Sequence, residues 1–256
     1  MKRPLIALLL LLVTAQTFAI VSGQAKPSSW GPFKKVEPQI VKIVFFGPGI
    51  VLSSCTGIQL TRKIILTAAH CLNNERGRPS PTEITYYKNG EETSVSINKR
   101  IHGVETITHP DYEPLAPSKF RTDVGLIILK KGDLPKRGDV EILPGGDGSF
   151  DHPHNIKARR SLVFGTSHLK MDTLAALPVK GTHYSIEKNE LTFKTYRDSS
   201  QVCKGDSGGP LLQYHRNTFK LYGVLSKASA PTDKCSNQFI ITLITPEIGA
   251  WISSNL

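Results

Sequence analysis

Two observations in the sequence predict a mostly β fold that ends in one helix. Short runs rich in β-branched and aromatic residues recur between clusters of Gly, Pro, Asn and Asp, which is typical of strands joined by turns. Helical periodicity appears only at the end, where Ile248, Trp251 and Ile252 form one apolar face. The length fits either two small domains or one large β fold.

The predicted strands are short and apolar, and turn residues separate them. They are Ile84–Tyr87, Thr93–Ile97, Val124–Leu129, Leu162–Phe164, Leu191–Tyr196, Leu211–Tyr214, Phe219–Leu225 and Phe239–Ile244. Asn89 and Gly90 between the first two predict a hairpin with a two-residue turn. We expect Thr245 to cap the final helix, with Pro246 at its first position. The segment Lys130–Asp139, rich in Gly, Pro and charge, is the best candidate linker between two halves.

Residues 1–19 have the features of a secretory signal peptide. Lys2 and Arg3 precede nine apolar residues, Leu5–Val13, and small residues such as Ala19 follow. Nine residues are too few to span a bilayer as a helix. We therefore expect an exported, soluble protein, either secreted or periplasmic, with no membrane partner.

The net charge and the cysteine count bear on the expected partners and on the disulfide bonds. Removing Lys2 and Arg3 lowers the formal net charge from +11 to +9, and the remaining positive residues are scattered as pairs. No basic stripe with interleaved aromatic residues is present, so we expect no nucleic-acid partner. Four cysteines in an exported chain predict two disulfide bonds, and the residues alone leave three connectivities open.

Three sequence blocks carry residues that are typical of nucleophilic catalysis. They are Thr67-Ala68-Ala69-His70-Cys71, an apolar strand preceded by Asp123, and Val202-Cys203-Lys204-Gly205-Asp206-Ser207-Gly208-Gly209-Pro210. A serine hydroxyl is a weak nucleophile until an imidazole takes its proton, and a carboxylate can hold that imidazole in the correct tautomer. The chain order His, Asp, Ser is one of those in which this triad occurs.

These blocks resemble the three signature blocks of the chymotrypsin/trypsin family of serine endopeptidases. The resemblance covers most of the chain after residue 19 and implies an all-β fold. That fold has two six-stranded antiparallel Greek-key barrels packed face to face, with a C-terminal helix. It implies an N-terminal barrel over residues 20–132 and a C-terminal barrel over residues 133–256, which form one peptidase domain. It also implies the disulfide bonds Cys55–Cys71 and Cys203–Cys235.

The resemblance assigns roles to five residues. By matched position, His70 is the general base, Asp123 orients it and Ser207 is the nucleophile. Ser226 matches the serine that donates a hydrogen bond to the catalytic acid. The backbone N–H groups of Gly205 and Ser207 are expected to bind the developing oxyanion.

Asp206 matches the family carboxylate that pairs with the new amino terminus of a processed chain. We expect cleavage after Ala19 to free the amine of Ile20 for this pairing. Alternatively, signal peptidase cuts after Ala15 and leaves a four-residue pro-segment. The spacing of 35 residues from Ile20 to Cys55 exceeds the family's usual value, so a chance occurrence of Ile-Val-Ser-Gly beside the signal peptide is the alternative.

The expected specificity pocket departs from the family pattern. Gln201 stands six positions before Ser207, where trypsin-like members have an aspartate that binds basic side chains. An Arg or Lys head group buried there without a countercharge would be costly, so we expect no preference for basic side chains. Ala228 and Gln238 are the other predicted pocket residues, and Lys227 replaces an aromatic residue. Small to medium uncharged side chains are expected.

The sequence therefore predicts an exported serine endopeptidase that acts through an acyl-enzyme, without a cofactor or metal. The partners would be a protein or peptide substrate and, as a further candidate, a proteinaceous inhibitor, and we expect a monomer. Asp151, His152 and His154 could hold a metal, but a surface loop is the favoured interpretation. The main alternative is a non-catalytic homologue that acts as a binding module. An α/β-hydrolase esterase is excluded by the chain order and the lack of alternating strands and helices.

Overall fold

The computed structural model describes thirteen stretches of the chain. The stretches are 27–47, 50–72, 83–88, 91–92, 104–113, 122–129, 142–144, 161–166, 174–185, 189–195, 201–215, 218–228 and 235–256. Ile20, the expected linker at 130–139 and the loop with His152 and His154 lie outside the described residues.

The front half of the chain forms one antiparallel sheet. Its strands are β1 (Ile40–Gly47), β2 (Ile50–Gln59), β3 (Ile64–Thr67), β4 (Glu83–Lys88), β5 (Glu91–Glu92), β6 (Val104–Thr108) and β7 (Gly125–Leu129). They pair in the order β5-β4-β1-β2-β3-β7-β6. Runs such as Ile-Ile-Leu-Thr in β3 are buried throughout, as expected for β-branched and apolar residues in a packed sheet.

The back half forms a second sheet, which closes on itself. Its strands are β8 (Ile142–Pro144), β9 (Ser161–Gly165), β10 (Ala175–Ser185), β11 (Glu190–Thr195), β12 (Pro210–His215), β13 (Thr218–Ala228) and β14 (Gln238–Leu243). They pair in the order β12-β9-β10-β11-β14-β13-β8, and a further pairing of β12 with β13 closes the barrel. β8 runs parallel to β13 at the edge, while the other pairs are antiparallel. Apart from β8 and the two-residue β5, each sheet has six antiparallel strands, so the predicted fold class is confirmed.

The strand predictions from the residues agree with the structure where it describes them. The hairpin at Asn89 and Gly90 is confirmed, because Lys88 pairs with Glu91 across a two-residue connection. The expected second arm at Thr93–Ile97 lies outside the described residues. Six strands were not predicted, namely β1, β2, β3, β6, β8 and β10. Of these, β10 pairs with β9 on one side and β11 on the other.

The segment before β1 packs onto both sheets. Two short 3₁₀ runs within Pro27–Gln39 are joined by a kink at Gly31, whose φ is 58°. Phe33 is buried in this segment, and its ring contacts the rings of Phe164, Tyr214 and Phe219 in the second sheet. The segment therefore connects the start of the first sheet to the core of the second.

The predicted C-terminal helix is present as α2 (Pro246–Ser254). The Thr245 hydroxyl accepts a hydrogen bond from the N–H of Ile248 at 3.4 Å, which caps the helix as expected. Ile248 and Ile252 are buried, and Trp251 contacts the His109 ring at a centroid distance of 4.9 Å. Among the helices in the described part of the chain, none has the length and apolar character needed to cross a membrane.

Candidate active site

Asp123 and His70 form a two-point hydrogen-bonded pair at one end of the first sheet. The main-chain N–H of His70 donates to Oδ1 of Asp123 at 2.8 Å, and Nδ1 of His70 lies 2.7 Å from Oδ2. An ionised carboxylate can only accept, so Nδ1 carries a proton and Nε2 is left as an acceptor when the ring is neutral. The pair therefore fixes both the orientation and the tautomer of the imidazole.

Strand pairing explains why these two residues meet. His70 follows β3, in the short helix α1 (Ala69–Leu72), and Asp123 lies two residues before β7. β3 pairs with β7 so that Thr67 lies opposite Gly125. A Cβ at Gly125 would lie 2.7 Å from Cδ1 of Leu72 and 3.2 Å from Cα of Ala69, so a glycine there lets α1 sit directly on the strand. The disulfide bond Cys55–Cys71 then attaches α1 to β2.

Ser226 supplies a third hydrogen bond to the same carboxylate from the second sheet. Its Oγ donates to Oδ2 of Asp123 at 2.6 Å. In the pairing of β13 with β14, Leu225 lies opposite Ile241 and Lys227 opposite Ile240, so Ser226 is the extra residue of a β-bulge. A bulge redirects the side chain of the extra residue, and here that side chain reaches Asp123 across the boundary between the sheets.

Asp123 is fully buried and nevertheless favours its charged form. Burial on its own would raise the pKa of Asp123, but the charge of His70 and the hydrogen bonds from His70 and Ser226 hold that pKa below its ordinary value. A buried carboxylate with these donors is an ionised group poised to stabilise an imidazolium.

Ser207 lies in a tight turn made possible by glycines. Gly205 and Gly208 have φ values of 99° and 83°, in the region that disfavours residues with a Cβ. A Cβ at Gly208 would also collide with Oγ1 of Thr67 and the carbonyl oxygen of Thr56. The turn is therefore pressed against the strand that leads to His70, which glycine alone permits.

Cys71 contacts both the His70 ring and Ser207, and among the described residues no hydrogen bond joins the Ser207 hydroxyl to Nε2 of His70. Sγ of Cys71 lies 3.7 Å from Nε2 of His70 and 3.9 Å from the carbonyl oxygen of Ser207. The N–H of Thr56 donates to that same carbonyl at 2.7 Å. Ser207 itself is partly exposed.

The backbone of this turn leaves two N–H groups without acceptors among the described residues. The N–H of Asp206 donates to Cys203, that of Gly208 to Leu225 and that of Gly209 to Asp206. The N–H groups of Gly205 and Ser207 have no such partner in the described part of the chain. Two such donors beside a serine are the arrangement that an oxyanion would require.

Asp206 points away from the turn into the second sheet. It is fully buried, and its Oδ2 accepts a hydrogen bond from the N–H of Cys203 at 2.8 Å. A Cβ at Gly165 would collide with the Asp206 carboxyl group, so this glycine makes room for the side chain. The expected partner amine of Ile20 lies outside the described residues.

Of the predicted pocket residues, Gln201 and Gln238 lie on two segments joined by the second disulfide bond, Cys203–Cys235, and Ala228 lies on β13. Gln201 is partly buried, beside the bridge in which Val202 and Ser236 exchange two backbone hydrogen bonds. Gln238 is exposed at the start of β14, and Ala228 pairs with Phe239 at the end of β13. The pocket assignment stays a prediction.

Both disulfide bonds implied by the resemblance are present, and one of them removes an apparent metal site. Sγ of Cys55, Sγ of Cys71 and a ring nitrogen of His70 lie within 4.8 Å of one another. Because both sulfurs are joined to each other at 2.05 Å, they are not available as thiolate ligands.

Sequence reasoning missed Thr56 and Thr166, which connect the first sheet to the serine turn. Oγ1 of Thr56 donates to the carbonyl oxygen of Gly205 at 2.9 Å and lies 2.8 Å from Oγ1 of Thr166. The available signal was the position of Thr56 directly after Cys55, since the expected bond to Cys71 places that residue near His70. A single threonine in a strand is too common to be singled out on that basis.

Comparison with known proteins agrees with this geometry. A family model described as Trypsin matches residues 34–252. The chain is 27% identical over 222 residues to a chymase of Canis lupus familiaris, covering 82% of this chain and 82% of the chymase. It is 24% identical over 245 residues to the clotting factor G beta subunit of Tachypleus tridentatus, covering 82% and 71% of the two chains.

One relative is much longer than this chain, so the alignment covers only part of it. The chain is 25% identical over 202 residues to mannan-binding lectin serine protease 1 of Mus musculus, which covers 67% of this chain but only 27% of that protein. The match to the family model spans most of the sequence, including all three blocks with His70, Asp123 and Ser207. This chain belongs to the trypsin family of serine proteases.

Proposed function

We propose that the chain is a serine endopeptidase that cleaves peptide bonds through an acyl-enzyme intermediate. The observation that carries the proposal is the hydrogen-bond chain from Ser226 to Asp123 to His70. Sγ of Cys71 lies 3.7 Å from Nε2 of His70 and 3.9 Å from the carbonyl oxygen of Ser207, which relates the serine turn to the imidazole. His70 is the general base, Asp123 orients it and Ser207 is the nucleophile. Ser226 supports the carboxylate.

In the acylation step, Nε2 of His70 takes the proton of the Ser207 hydroxyl while Oγ attacks the carbonyl carbon of the substrate. The imidazolium that forms keeps its Nδ1–H bond to Asp123, whose buried charge stabilises it. The carbonyl oxygen of the substrate becomes an oxyanion, which the N–H groups of Gly205 and Ser207 are positioned to bind. Each donor of this kind is worth roughly 3–4 kcal/mol in the transition state.

Collapse of the tetrahedral intermediate completes the step and prepares the second. His70 gives its proton to the leaving amine as the peptide C–N bond breaks, which leaves an ester between the substrate acyl group and Oγ of Ser207. Water then attacks this ester, with His70 again taking a proton. The acid fragment leaves and the serine hydroxyl is restored.

A fluorophosphonate probe tests the proposal directly. The probe phosphonylates an activated serine, so we expect the purified protein to be labelled on Ser207 and the Ser207→Ala variant to stay unlabelled. Thr242→Val, at a buried threonine in β14 outside the proposed site, serves as the control and should label like the unaltered protein. Absence of labelling in a folded, processed protein would favour the alternative, a non-catalytic homologue that acts as a binding module.

The proposed substrates have small to medium uncharged side chains at the cleaved bond. Gln201 offers an amide where a basic side chain would need a carboxylate, and Ala228 adds a methyl group to the expected pocket wall. Gln238 completes this set of proposed pocket residues. A preference for Arg or Lys would require a countercharge that these three residues do not supply.

Activation by the amino terminus is part of the proposal. The Phe33 ring contacts the Phe164 ring at a centroid distance of 6.3 Å, and Phe164 precedes Gly165, against which Asp206 packs. Phe33 thus contacts the residue next to the strand position against which Asp206 packs. An extended chain spans roughly 3.5 Å per residue, so the 13 residues from Ile20 to Phe33 have ample length for the Ile20 amine to reach Asp206.

The cellular context and domain division are also proposals. Export rests on the signal-like residues 1–19 and on the two disulfide bonds, which persist in oxidising compartments. The two sheets support a division into barrels near residues 132 and 133 within one peptidase domain. A protein or peptide substrate is the proposed partner, with the protein acting as a monomer.

A further inference from the structure

The hydroxyl group of Thr56 makes three hydrogen bonds at the boundary between the two sheets. It lies 2.9 Å from the carbonyl oxygen of Gly205, 3.0 Å from the N–H of Thr166 and 2.8 Å from Oγ1 of Thr166. A carbonyl oxygen can only accept, so the single proton of the Thr56 hydroxyl is directed at Gly205. The hydroxyl then accepts from both donors of Thr166. Its hydrogen-bonding capacity is full, and the side chain is completely buried.

The main chain of Thr56 holds the same turn at a second point. Its N–H donates to the carbonyl oxygen of Ser207 at 2.7 Å. Thr56 therefore binds the carbonyl groups of both residues whose N–H groups are the proposed oxyanion donors. The peptide unit after Gly205 is held at both ends, because the N–H of Asp206 donates to Cys203 at 3.2 Å.

Gly205 needs such a restraint more than other residues of the turn. Its φ of 99° is accessible because it has no Cβ, and for the same reason the peptide units on either side of it rotate at little cost. A rotation of this kind would turn the Gly205 N–H away from the substrate carbonyl. The Gly205 N–H belongs to the peptide unit before Gly205, and a hydrogen bond to the Gly205 carbonyl fixes the peptide unit after it. The bond therefore acts on the N–H by fixing the Gly205 Cα about which the preceding peptide unit would turn.

We propose that the Thr56 hydroxyl is a positioning group that holds the oxyanion-binding conformation of the Gly205–Ser207 turn through its bond to the Gly205 carbonyl. The inference rests on the proposed peptidase function. It adds a residue on the first sheet that controls the oxyanion donors on the second. Thr56 follows Cys55, which is bonded to Cys71 beside His70, so one short segment of β2 positions both the base and the donors.

The test compares Thr56→Val with Thr56→Ser. Valine keeps the shape and the main-chain bond to Ser207 but removes the hydroxyl, whereas serine keeps the hydroxyl. For Thr56→Val we expect kcat to fall roughly 10-fold or more, a part of the 10²–10³ lost when an oxyanion donor is removed. KM should change by less than about twofold, and Thr56→Ser should recover most of kcat. Thr242→Val, at a fully buried threonine in β14, is the matched control and should keep wild-type kcat.

Inhibitors separate positioning from general damage to the fold. A peptide aldehyde forms a hemiacetal with the serine and uses the oxyanion donors, while the corresponding product peptide does not. We expect the aldehyde inhibition constant to rise by the same factor by which kcat/KM falls, with the product inhibition constant unchanged. If Thr56→Val does not fold, Thr56→Ala is compared with Thr56→Ser in the same way.

The outcomes distinguish this inference from the function on which it rests. Wild-type labelling on Ser207 together with unchanged kcat and aldehyde affinity in folded Thr56→Val would overturn the positioning role alone. Equal losses for the aldehyde and the product peptide, or a Thr56→Ser variant as impaired as Thr56→Val, would also overturn it. A wild-type protein that neither labels nor turns over any peptide would remove the proposed function, and this inference with it.

Discussion

Replacing Asp123 with asparagine gives the sharpest test of the proposed triad, because the structure dictates how the amide must sit. Oδ1 of Asp123 accepts the main-chain N–H of His70, and Oδ2 faces both Nδ1 of His70 and the Ser226 hydroxyl. If the NH₂ group of the asparagine pointed toward the main-chain N–H of His70, two hydrogen-bond donors would face each other with no acceptor between them. The amide oxygen therefore takes the Oδ1 position, and the NH₂ group donates to Nδ1 of His70.

That arrangement reverses the tautomer of the imidazole. Nδ1 becomes the acceptor and Nε2 carries the proton, so His70 can no longer take the proton of Ser207. Loss of the correct tautomer in a serine triad costs roughly 10⁴ in kcat, which corresponds to about 5 kcal/mol of transition-state stabilisation. Ser226→Ala should cost much less, because it removes one donor to the carboxylate and leaves the tautomer unchanged.

The assay is turnover of a peptide ester or anilide under saturating substrate, with the rate of fluorophosphonate labelling of Ser207 as a second readout. Circular dichroism and thermal unfolding establish that the Asp123→Asn variant is folded. KM should remain close to the wild-type value, since Asp123 is fully buried and does not face the substrate. A folded Asp123→Asn protein that keeps more than about one tenth of wild-type kcat would refute the proposed role of Asp123.

Three further predictions address the turn, the pH dependence and the pocket. Gly208→Ala should lower the free energy of unfolding, measured by urea titration, by roughly 1–3 kcal/mol. The reason is that Gly208 has a φ of 83° and that the new methyl group would meet Oγ1 of Thr67. An unchanged urea midpoint would contradict this prediction. Burial lowers the pKa of His109 in the folded protein, and the charge of Asp111 partly opposes this effect. Below about pH 6.5 the unfolded chain therefore binds more protons at His109 than the folded chain does. The free energy of unfolding should consequently fall as the pH drops from about 6.5 through the pKa of the folded state. His109→Gln should show a flatter stability profile between about pH 7 and 5, and parallel profiles would show that another group is responsible. Gln201→Asp should raise kcat/KM for Arg and Lys substrates relative to Leu by roughly 10-fold or more, and an unchanged ratio would argue that Gln201 does not line the pocket.

The strands that the residues predicted have strong local signals, but such a signal did not guarantee a prediction, because the apolar runs of β1 and β3 were missed. β7 and β9 are short apolar runs, and α2 has a capping threonine followed by proline. β10 was missed because Pro178 and Gly181 interrupt it, yet it is held by ladders to β9 and β11. Tertiary pairing overrides weak local propensity in such a strand, and a single sequence does not contain that information.

In the candidate site, local motifs identified some residues, whereas contacts between residues distant in sequence could not be predicted. The three blocks identified His70, Asp123 and Ser207, because each carries its own motif and neighbouring glycines or cysteines. The bond between Thr56 and Gly205 joins residues separated by 149 positions, and nothing near either residue in the sequence indicates the other. The same holds for the bulge at Ser226, which depends on the register of β13 against β14.

The polar contacts between the sheets explain how the site is held to one geometry. Apolar burial is not directional, so a packed core alone would tolerate small shifts of one sheet against the other. Asp123 loses water when the sheets meet, and a shift that separated it from Ser226 would leave a buried charge with one donor fewer. Such a shift would also break the bonds from Thr56 to the carbonyl oxygens of Gly205 and Ser207, which would leave buried acceptors without these donors. The hydrogen bonds that align the proposed catalytic groups are thus also those that select the relative position of the two sheets.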